Sequence, residues 1–368
     1  MTNPMTRRAA ISVGVAATLA SAQTPSAPKL GIIGLGNRSK RHFAAYQQLD
    51  SIEVAAVSDI QADRMRAART GPAANATMYV DYRELIADKS VQVVVIATPN
   101  YLHSKMAIEA MQAGKDVILE KPLGLNYQQA REVADAAKKY NRILAVGMQR
   151  HYFAPYKKVI EFVNGAGLGK VHLYALNEYR GDWNPLTTPT PDPTSGKTIP
   201  WRHSRALAGS SLLEFSVHSY GFLHEMLQSK LTKCSATGGA LHWPERTTED
   251  AISVIADYEN GARLQHTYCG FAPGAQWSLT IAGDRGSLQF NRDSATIRRD
   301  GEAALQLDLT DDQTIGNEAQ LYREFFQNVA NRTQSPLNPD FALEAAKVAY
   351  AAWMSIDENR IITDKDFV

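Results

Sequence analysis

The chain lacks the features that define several protein classes. It has only two cysteines, Cys234 and Cys269, too few for a disulfide framework, and we expect two separate, buried thiols, although one bond between them stays possible. The formal net charge of +1 gives no general electrostatic case for nucleic acid as a partner. No apolar run of about 18 or more residues predicts a membrane span in the mature protein. Neither a Cys-x-x-Cys nor a His-x-x-x-His pattern indicates a metal site, and no internal repeat is present.

The most informative stretch that is present is a glycine turn after the first apolar run. Residues 29–33 are followed by Gly34-x-Gly36-x-x-Ser39, and a helix-like segment then covers residues 40–49. Gly34 allows a tight turn, and Gly36 lets the backbone approach a pyrophosphate. The small Ser39 permits close packing of helix on strand. This layout is typical of a dinucleotide-binding site.

An acid at the end of the next predicted strand completes the pattern. Asp59 lies 23 residues after Gly36, close to the expected spacing of about 20. A carboxylate there can accept hydrogen bonds from the adenosine ribose and repels a 2′-phosphate, so NAD is favoured over NADP. Asn37 and Arg38 belong to the turn, where free N–H groups at the helix start bind phosphate. Arg38 could alternatively be the partner of a 2′-phosphate.

Residues 1–22 differ from the rest of the chain and predict export. Arg7 and Arg8 precede the mildly apolar stretch 9–19 and then Ala20-Ser-Ala22, which is the layout of a signal peptide. Paired arginines before a weakly hydrophobic core favour the twin-arginine route, although Ala10 stands where a large apolar residue is usual. A basic tail is the alternative. We therefore expect a periplasmic or otherwise exported protein.

Two domains follow the predicted signal peptide. Residues 28–150 alternate strand and helix patterns, which predicts parallel βαβ units in a doubly wound α/β sheet of the Rossmann type. Residues 151–368 predict an α+β domain with a largely antiparallel sheet. In that second domain we expect a helix over 212–227, strands over 251–258, 263–269 and 277–281, and a long loop from 183 to 200 that is a candidate functional segment.

Three side chains are candidates for acid–base chemistry. Lys121, held by a following proline, comes after a predicted strand at the edge where a dinucleotide would lie. Partial burial and a cationic nicotinamide would lower its pKa from about 10.4, which suits proton transfer near neutral pH. Glu214 and His218 are four residues apart, so they project from one face of the predicted helix and could form an acid–base pair. A surface lysine, a solvated carboxylate and a core histidine are the alternatives.

The order of these motifs resembles the glucose–fructose oxidoreductase/inositol dehydrogenase (Gfo/Idh/MocA) family. The Gly-x-Gly turn, Thr-Pro-Asn-x-x-His at 98–103, Glu-Lys-Pro at 120–122 and a Gly-led helix with Leu-x-acid-x-x-x-His carry the resemblance across nearly all of the mature chain. It implies an N-terminal Rossmann domain and a C-terminal α+β domain whose largely antiparallel open sheet supports substrate binding and oligomerisation. It also implies an NAD(P)-dependent oxidoreductase acting on CH–OH groups of a carbohydrate, as a homodimer or homotetramer.

The resemblance also implies roles for individual residues. Lys121 and His218 match the catalytic lysine and histidine, and Glu214 stands where most members have an aspartate that binds the sugar or tunes the histidine. Gly221 stands where many members have a further aspartate, so no role is transferred to it. Pro99, Asn100, His103 and Glu120 match positions that line the nicotinamide side of the cofactor. The other residues expected near the cofactor are Thr98, Lys121, Trp201 and Arg202.

The substrate-binding residues expected with Lys121, Glu214 and His218 open the long loop. Tyr179, Arg180 and Trp183 offer aromatic rings and a polar partner that suit a carbohydrate, although anchoring of the loop explains them equally well.

The predicted reaction is hydride transfer between a sugar, polyol or glycoside and NAD. We expect the NAD to be tightly bound, because an exported enzyme cannot draw on a cytosolic cofactor pool. A redox-neutral, NAD-dependent glycoside hydrolase and a non-catalytic sugar or NAD sensor are the alternatives.

Overall fold

The computed structural model describes residues 28–49, 52–181, 189–311 and 313–367. The predicted signal peptide at 1–22 and Trp183 lie outside the described residues. Both predictions therefore rest on the sequence alone.

The N-terminal part of the chain forms a six-stranded sheet in which every strand pair is parallel. The strand order is β3-β2-β1-β4-β5-β6, so the direction of winding reverses between β1 and β4. A ligand crevice is expected outside the carboxyl ends of the strands at that reversal. The elements are β1 (Leu30–Ile33), α1 (Asn37–Tyr46), β2 (Val54–Ser58), α2 (Ala62–Arg69), β3 (Thr77–Tyr79), α3 (Tyr82–Ala87), β4 (Val93–Ile96), α4 (His103–Gln112), β5 (Asp116–Leu119), α5 (Tyr127–Lys139) and β6 (Leu144–Val146).

The remainder of the chain is built on a nine-stranded mixed sheet of order β16-β15-β14-β13-β7-β12-β11-β10-β17. Its strand pairs are antiparallel except for β7 with β12. The elements are α6 (Ala154–Asn164), β7 (Val171–Tyr179), β8 (Pro189–Pro191), β9 (Thr198–Pro200), α7 (Arg205–Ala208), α8 (Val217–Leu227), β10 (Leu231–Gly239), β11 (Ala251–Tyr258), β12 (Arg263–Cys269), β13 (Gln276–Gly283), β14 (Gly286–Phe290), β15 (Ala295–Arg298), β16 (Leu305–Gln306), α9 (Asn317–Asn331), α10 (Pro339–Glu358) and β17 (Ile362–Thr363).

The predicted fold class is confirmed, because a parallel doubly wound sheet precedes a largely antiparallel one. The sequence did not predict β10, β14, β15, β16 or β17, and the small β8–β9 ribbon lies inside the predicted loop. β10 reads Leu-Thr-Lys-Cys-Ser-Ala-Thr-Gly-Gly, which has too little apolar alternation to signal a strand.

The last two helices return to the first sheet and join both sheets in one core. α9 packs on α1, and α10 packs on both α5 and α8. The Val146 amide donates to the Leu337 carbonyl at 2.8 Å, and the Tyr350 hydroxyl donates to the Gly124 carbonyl at 3.0 Å. These contacts fix the edge of the parallel sheet against α10 and the residues just before it.

Two further features concern cysteine chemistry and membranes. Cys234 and Cys269 are both free thiols. Among the described ranges, no helix combines the length and the apolar composition that crossing a membrane requires.

Candidate active site

A cleft of about 500 Å³ crosses the carboxyl ends of the parallel strands. Gly34 follows β1, Asp59 follows β2, Thr98 follows β4 and Lys121 follows β5. These four strands are neighbours in the sheet, so they bring the residues to one edge. Ser39 and Tyr179 are not among the lining residues. The predicted site residues that do line the cleft are Gly34, Gly36, Asn37, Arg38, Asp59, Thr98, Pro99, Asn100, His103, Glu120, Lys121, Arg180, Trp201, Arg202, Glu214 and His218.

Gly34 and Gly36 play different parts in the glycine turn. Gly34 has φ +93°, and a Cβ added there would lie 2.7 Å from the Ala97 carbonyl oxygen, so a side chain would be both strained and obstructed. Gly36 precedes α1 and, having no side chain, leaves the first N–H groups of the helix uncovered. The nearest group to a Cβ added there would be the end of Arg64, at 3.8 Å. The turn therefore presents bare backbone to the cleft. Ser39 lies behind it, where its hydroxyl donates to the Gly36 carbonyl at 2.7 Å.

The Asp59 carboxylate is fixed at the rim of this turn. Its Oδ2 accepts from the Leu35 amide at 2.7 Å, and its Oδ1 accepts from the Gln61 amide at 2.8 Å. Arg64 Nη1 lies 3.5 Å from Oδ2. An anionic acceptor is thus held beside the glycine turn, which is the arrangement that binds a dinucleotide ribose. The residues present fit NAD.

Arg38 does not extend freely into the cleft. Its Nε lies 2.7 Å from Glu120 Oε1, and its Nη1 lies 2.7 Å from Glu318 of α9. Although burial opposes the charge of Glu120, Arg38 and His42 hold the pKa of that carboxyl well below its usual range. The turn is therefore tied to α9 through a partly buried ion-pair network that local sequence patterns do not reveal.

At the other end of the cleft, Glu214 contacts three of the predicted polar residues. Lys121 Nζ donates to the Glu214 carbonyl oxygen at 2.6 Å and lies 3.1 Å from Oε2. Asn100 Nδ2 donates to Oε2 at 2.9 Å, and Arg202 Nε lies 2.9 Å from Oε1. Burial lowers the pKa of Lys121. Burial acts in the opposite sense on Glu214, but Lys121 and Arg202 lower the pKa of its carboxyl overall.

The helix that carries Glu214 is not the regular α-helix that the sequence predicted over 212–227. Leu212–Ser216 forms a π-helical turn, and α8 begins at Val217. Such single π turns are frequent at functional sites. Here the Glu214 backbone carbonyl oxygen accepts from Lys121.

His218 lies in the first turn of α8, half-buried in the cleft wall. Its Nδ1 is buried and has no hydrogen-bond partner among the described residues. Burial, followed by the nearby charges of Arg150 and Lys121, lowers the pKa of His218 well below its usual value, so the ring is neutral at neutral pH. Glu214 and His218 share the cleft as expected, but the Glu214 carboxylate accepts a hydrogen bond from Asn100 and forms ion pairs with Lys121 and Arg202 instead.

His103 ties the two cleft-lining loops together. Its ring nitrogens lie 2.8 Å from the Pro122 carbonyl oxygen and 2.9 Å from the Thr98 carbonyl oxygen. The buried ring thus holds the segment after β4 against the segment that carries Lys121. This arrangement gives His103 a positioning role.

Several residues that line the cleft or its rim were not predicted from the sequence. Arg150 follows β6 at the same edge of the sheet, and Phe215 is the neighbour of Glu214 on the π turn. The position after a parallel strand was a usable signal for Arg150. Arg64 sits on α2, and only folding brings it to Asp59.

The fold and the cleft define an NAD-binding oxidoreductase, and comparison with known families gives the same result. Residues 29–148 match the oxidoreductase family with an NAD-binding Rossmann fold, and residues 156–289 match the GFO/IDH/MocA C-terminal domain. The chain belongs to the Gfo/Idh/MocA oxidoreductase family.

Individual relatives are distant. An uncharacterized oxidoreductase of Bacillus subtilis, YrbE, is 27% identical over 63% of this chain, and the match spans 64% of that protein, just under two thirds of its length. An inositol 2-dehydrogenase/D-chiro-inositol 3-dehydrogenase of Lactiplantibacillus plantarum is 24% identical over 92% of this chain and 94% of its own length. The crystal structure of an aldose–aldose oxidoreductase from Caulobacter crescentus has a similar fold, with a TM-score of 0.78, 18% identity and coverage of 91% of this chain and 99% of that one.

Proposed function

We propose that the protein is an exported oxidoreductase that transfers hydride between NAD and a carbinol carbon of a sugar or polyol. One observation carries the proposal: Lys121 and His218 line the same cleft as the glycine turn and Asp59. The similarity to an inositol dehydrogenase supports a polyol or sugar as substrate.

NAD, when bound, supplies the hydride acceptor at C4 of its nicotinamide ring. The bare backbone at Gly34 and Gly36 and the N–H groups at the start of α1 would hold the pyrophosphate. Asp59 would hold the adenosine ribose.

His218 is the proposed proton acceptor. Its neutral ring can take the proton of the substrate hydroxyl, because burial and nearby cations keep it deprotonated at neutral pH. Lys121 is the proposed electrophile, since Glu214 holds its ammonium group in place and stabilises its charge. In the reverse direction His218 would return the proton to the carbonyl oxygen.

The pH profile distinguishes these two roles. With His218 as base, kcat/KM for oxidation is expected to be flat above about pH 6.5 and to fall only at lower pH, where the depressed pKa lets the ring become protonated. A rate that keeps rising through the alkaline range would instead assign the base to Lys121, whose pKa is lowered from 10.5.

Asp59 is expected to set the preference for NAD over NADP. Asp59→Asn keeps the shape but removes the charge that repels a 2′-phosphate. We expect the ratio of the two dissociation constants to shift towards NADP by about tenfold or more, the value of one charged hydrogen bond. Fluorescence titration of both cofactors measures it, with the exposed Asp63→Asn on α2 as control. An unchanged ratio would remove Asp59 from cofactor selection.

We also propose that NAD is carried through export in the folded protein. Residues 1–22 have the twin-arginine layout, and a cofactor that must survive dilution needs a nanomolar or tighter Kd, about −12 kcal/mol. Protein purified from the exported fraction is expected to retain NAD through gel filtration, as mass spectrometry of the released cofactor would show. An Arg7→Lys, Arg8→Lys variant should stay inside the cell. Rapid loss of NAD on the column would count against this proposal.

A trapped cofactor must be regenerated in place, so we propose that a second carbonyl compound accepts the hydride in a ping-pong cycle. A mixing assay separates this function from the two alternatives. An oxidoreductase reduces the bound NAD when a sugar is added, and a glycoside hydrolase releases aglycone without net reduction. A sensor binds sugar without any change in cofactor absorbance.

A further inference from the structure

The end of the cleft around His218, here called the substrate end, is rich in positive charge. The cationic side chains that line it are Lys121, Arg150, Arg180 and Arg202. Two carboxylates lie near them, Glu214 and Glu120, and Glu120 is paired with Arg38. Glu214 pairs with Lys121 and Arg202. Arg150 and Arg180 are therefore left without a carboxylate partner among the described residues.

Arg150 follows β6 and Arg180 follows β7, and both act on the segment that carries Phe215 and His218. The Arg180 guanidinium lies 4.4 Å from the centre of the Phe215 ring. Arg150 is close enough to His218 to depress the pKa of its ring. Phe215 and His218 are three residues apart on the segment that also carries Glu214, and both arginines line the cleft with it.

Both guanidinium groups contain buried N–H groups without acceptors. Arg150 Nη1 and Arg180 Nε are fully buried and have no hydrogen-bond partner within the described ranges. Such a donor is costly in a charged group. Both side chains are half-buried and line the cleft, where an oxyanion would offset the charge of the whole guanidinium group. The pyrophosphate of NAD is not expected to accept from these arginines, because it would bind at the glycine turn. That turn lies beside Asp59 and Arg64.

We propose that the substrate is an acidic carbohydrate whose oxyanion is bound by Arg150 and Arg180. The planar fork of arginine suits a carboxylate or a phosphate, so the shared chemistry is an oxyanion on the sugar. This inference rests on the proposed function, since it names the substrate class of the same site. The anion takes no part in hydride transfer, so these arginines should act on KM more than on kcat.

The test compares neutral and acidic forms of the same sugars on the NAD-loaded protein. Glucose, glucuronate and glucose 6-phosphate form one set, and the galactose and mannose series form two more. Calorimetry measures binding, and cofactor absorbance measures turnover. We expect one acidic form to bind at least about tenfold more tightly than its neutral parent, the value of a charge-assisted bond. Which acid does so separates a carboxylate from a phosphate.

Variants connect that preference to the two arginines. Arg150→Gln and Arg180→Gln should each reduce the acid-over-neutral ratio by about tenfold, and Arg150→Lys, which keeps the charge, should restore part of it. Arg131→Gln, on the exposed surface of α5, is the control and should leave the ratio unchanged. Thermal melting checks that each variant folds.

The outcomes separate this inference from the proposed function. If neutral and acidic sugars bind and turn over equally well, the inference is wrong and the proposed function stands. If an acidic sugar binds through Arg150 and Arg180 but never reduces NAD, the inference holds and the proposed function fails. If no acidic sugar binds, or if its binding ignores both arginines, the inference is overturned.

Discussion

Replacement of Lys121 by methionine is expected to lower kcat for sugar oxidation by about 10²–10⁴-fold, the range for loss of a positioned acid–base group. The side chain lies at the substrate end of the cleft, with its ammonium group held by the carbonyl and carboxylate oxygens of Glu214. Methionine keeps the length of the chain and removes the charge. The Kd of NAD should change little, because the glycine turn and Asp59 do not contact this ammonium group.

Lys115 provides a matched control for that substitution. It is also buried, at 7% exposure, and its Nζ donates to the carbonyl oxygens of Asp88 and Val91 at 2.7 Å, away from the cleft. Lys115→Met should lower the melting temperature and leave kcat unchanged. Near wild-type turnover in Lys121→Met, with NAD bound, would show that Lys121 has no catalytic role.

Glu214→Gln is expected to cost both stability and activity. The carboxylate is 5% exposed and neutralises Lys121 and Arg202, which are 13% and 32% exposed. Its loss leaves these partly buried charges uncompensated, at a cost below the roughly 3–5 kcal/mol of a fully buried pair. Turnover should fall by about 10²-fold because Lys121 loses its anchor. Denaturant titration and steady-state kinetics measure the two effects.

Glu249 separates a loss of stability from a loss of chemistry. It is buried to the same degree, 5% exposed, lies 3.4 Å from Arg205 and stands outside the cleft. Glu249→Gln should destabilise the protein without lowering kcat. Glu214→Asp keeps the charge on a shorter arm and should retain more activity than Glu214→Gln. Equal kcat in all three variants would contradict the role assigned to Glu214.

The sequence predicted the parts of the site that follow parallel strands. The spacing of Gly34, Gly36 and Asp59 and the position of Lys121 after a strand depend on local patterns, and the parallel sheet brings all of them to one edge. The ends of such strands can be recognised in the sequence, because buried parallel strands are short, apolar and separated by helices. The fold class followed from the same alternation.

The rest depends on contacts that are distant in sequence. The carboxylate of Glu318 reaches Arg38 from a helix that begins 279 residues later, and no local pattern signals that pair. The π turn at Leu212–Ser216 presents the Glu214 carbonyl to Lys121, a contact between residues 93 positions apart. Ser39 was predicted in the cofactor site from its spacing, but its hydroxyl bonds to the Gly36 carbonyl behind the turn.

The central claim is hydride transfer to NAD in a cleft that contains Lys121 and His218. The most direct test uses a sugar with deuterium on its carbinol carbons and the purified, NAD-loaded protein. After an incubation just long enough for the wild type to complete one turnover, mass spectrometry of the released cofactor is expected to show one deuterium in the reduced nicotinamide for the wild type. Lys121→Met, with NAD still bound, should show almost none. Unlabelled, oxidised NAD from the wild type with every acidic and neutral sugar in the panel would contradict the account.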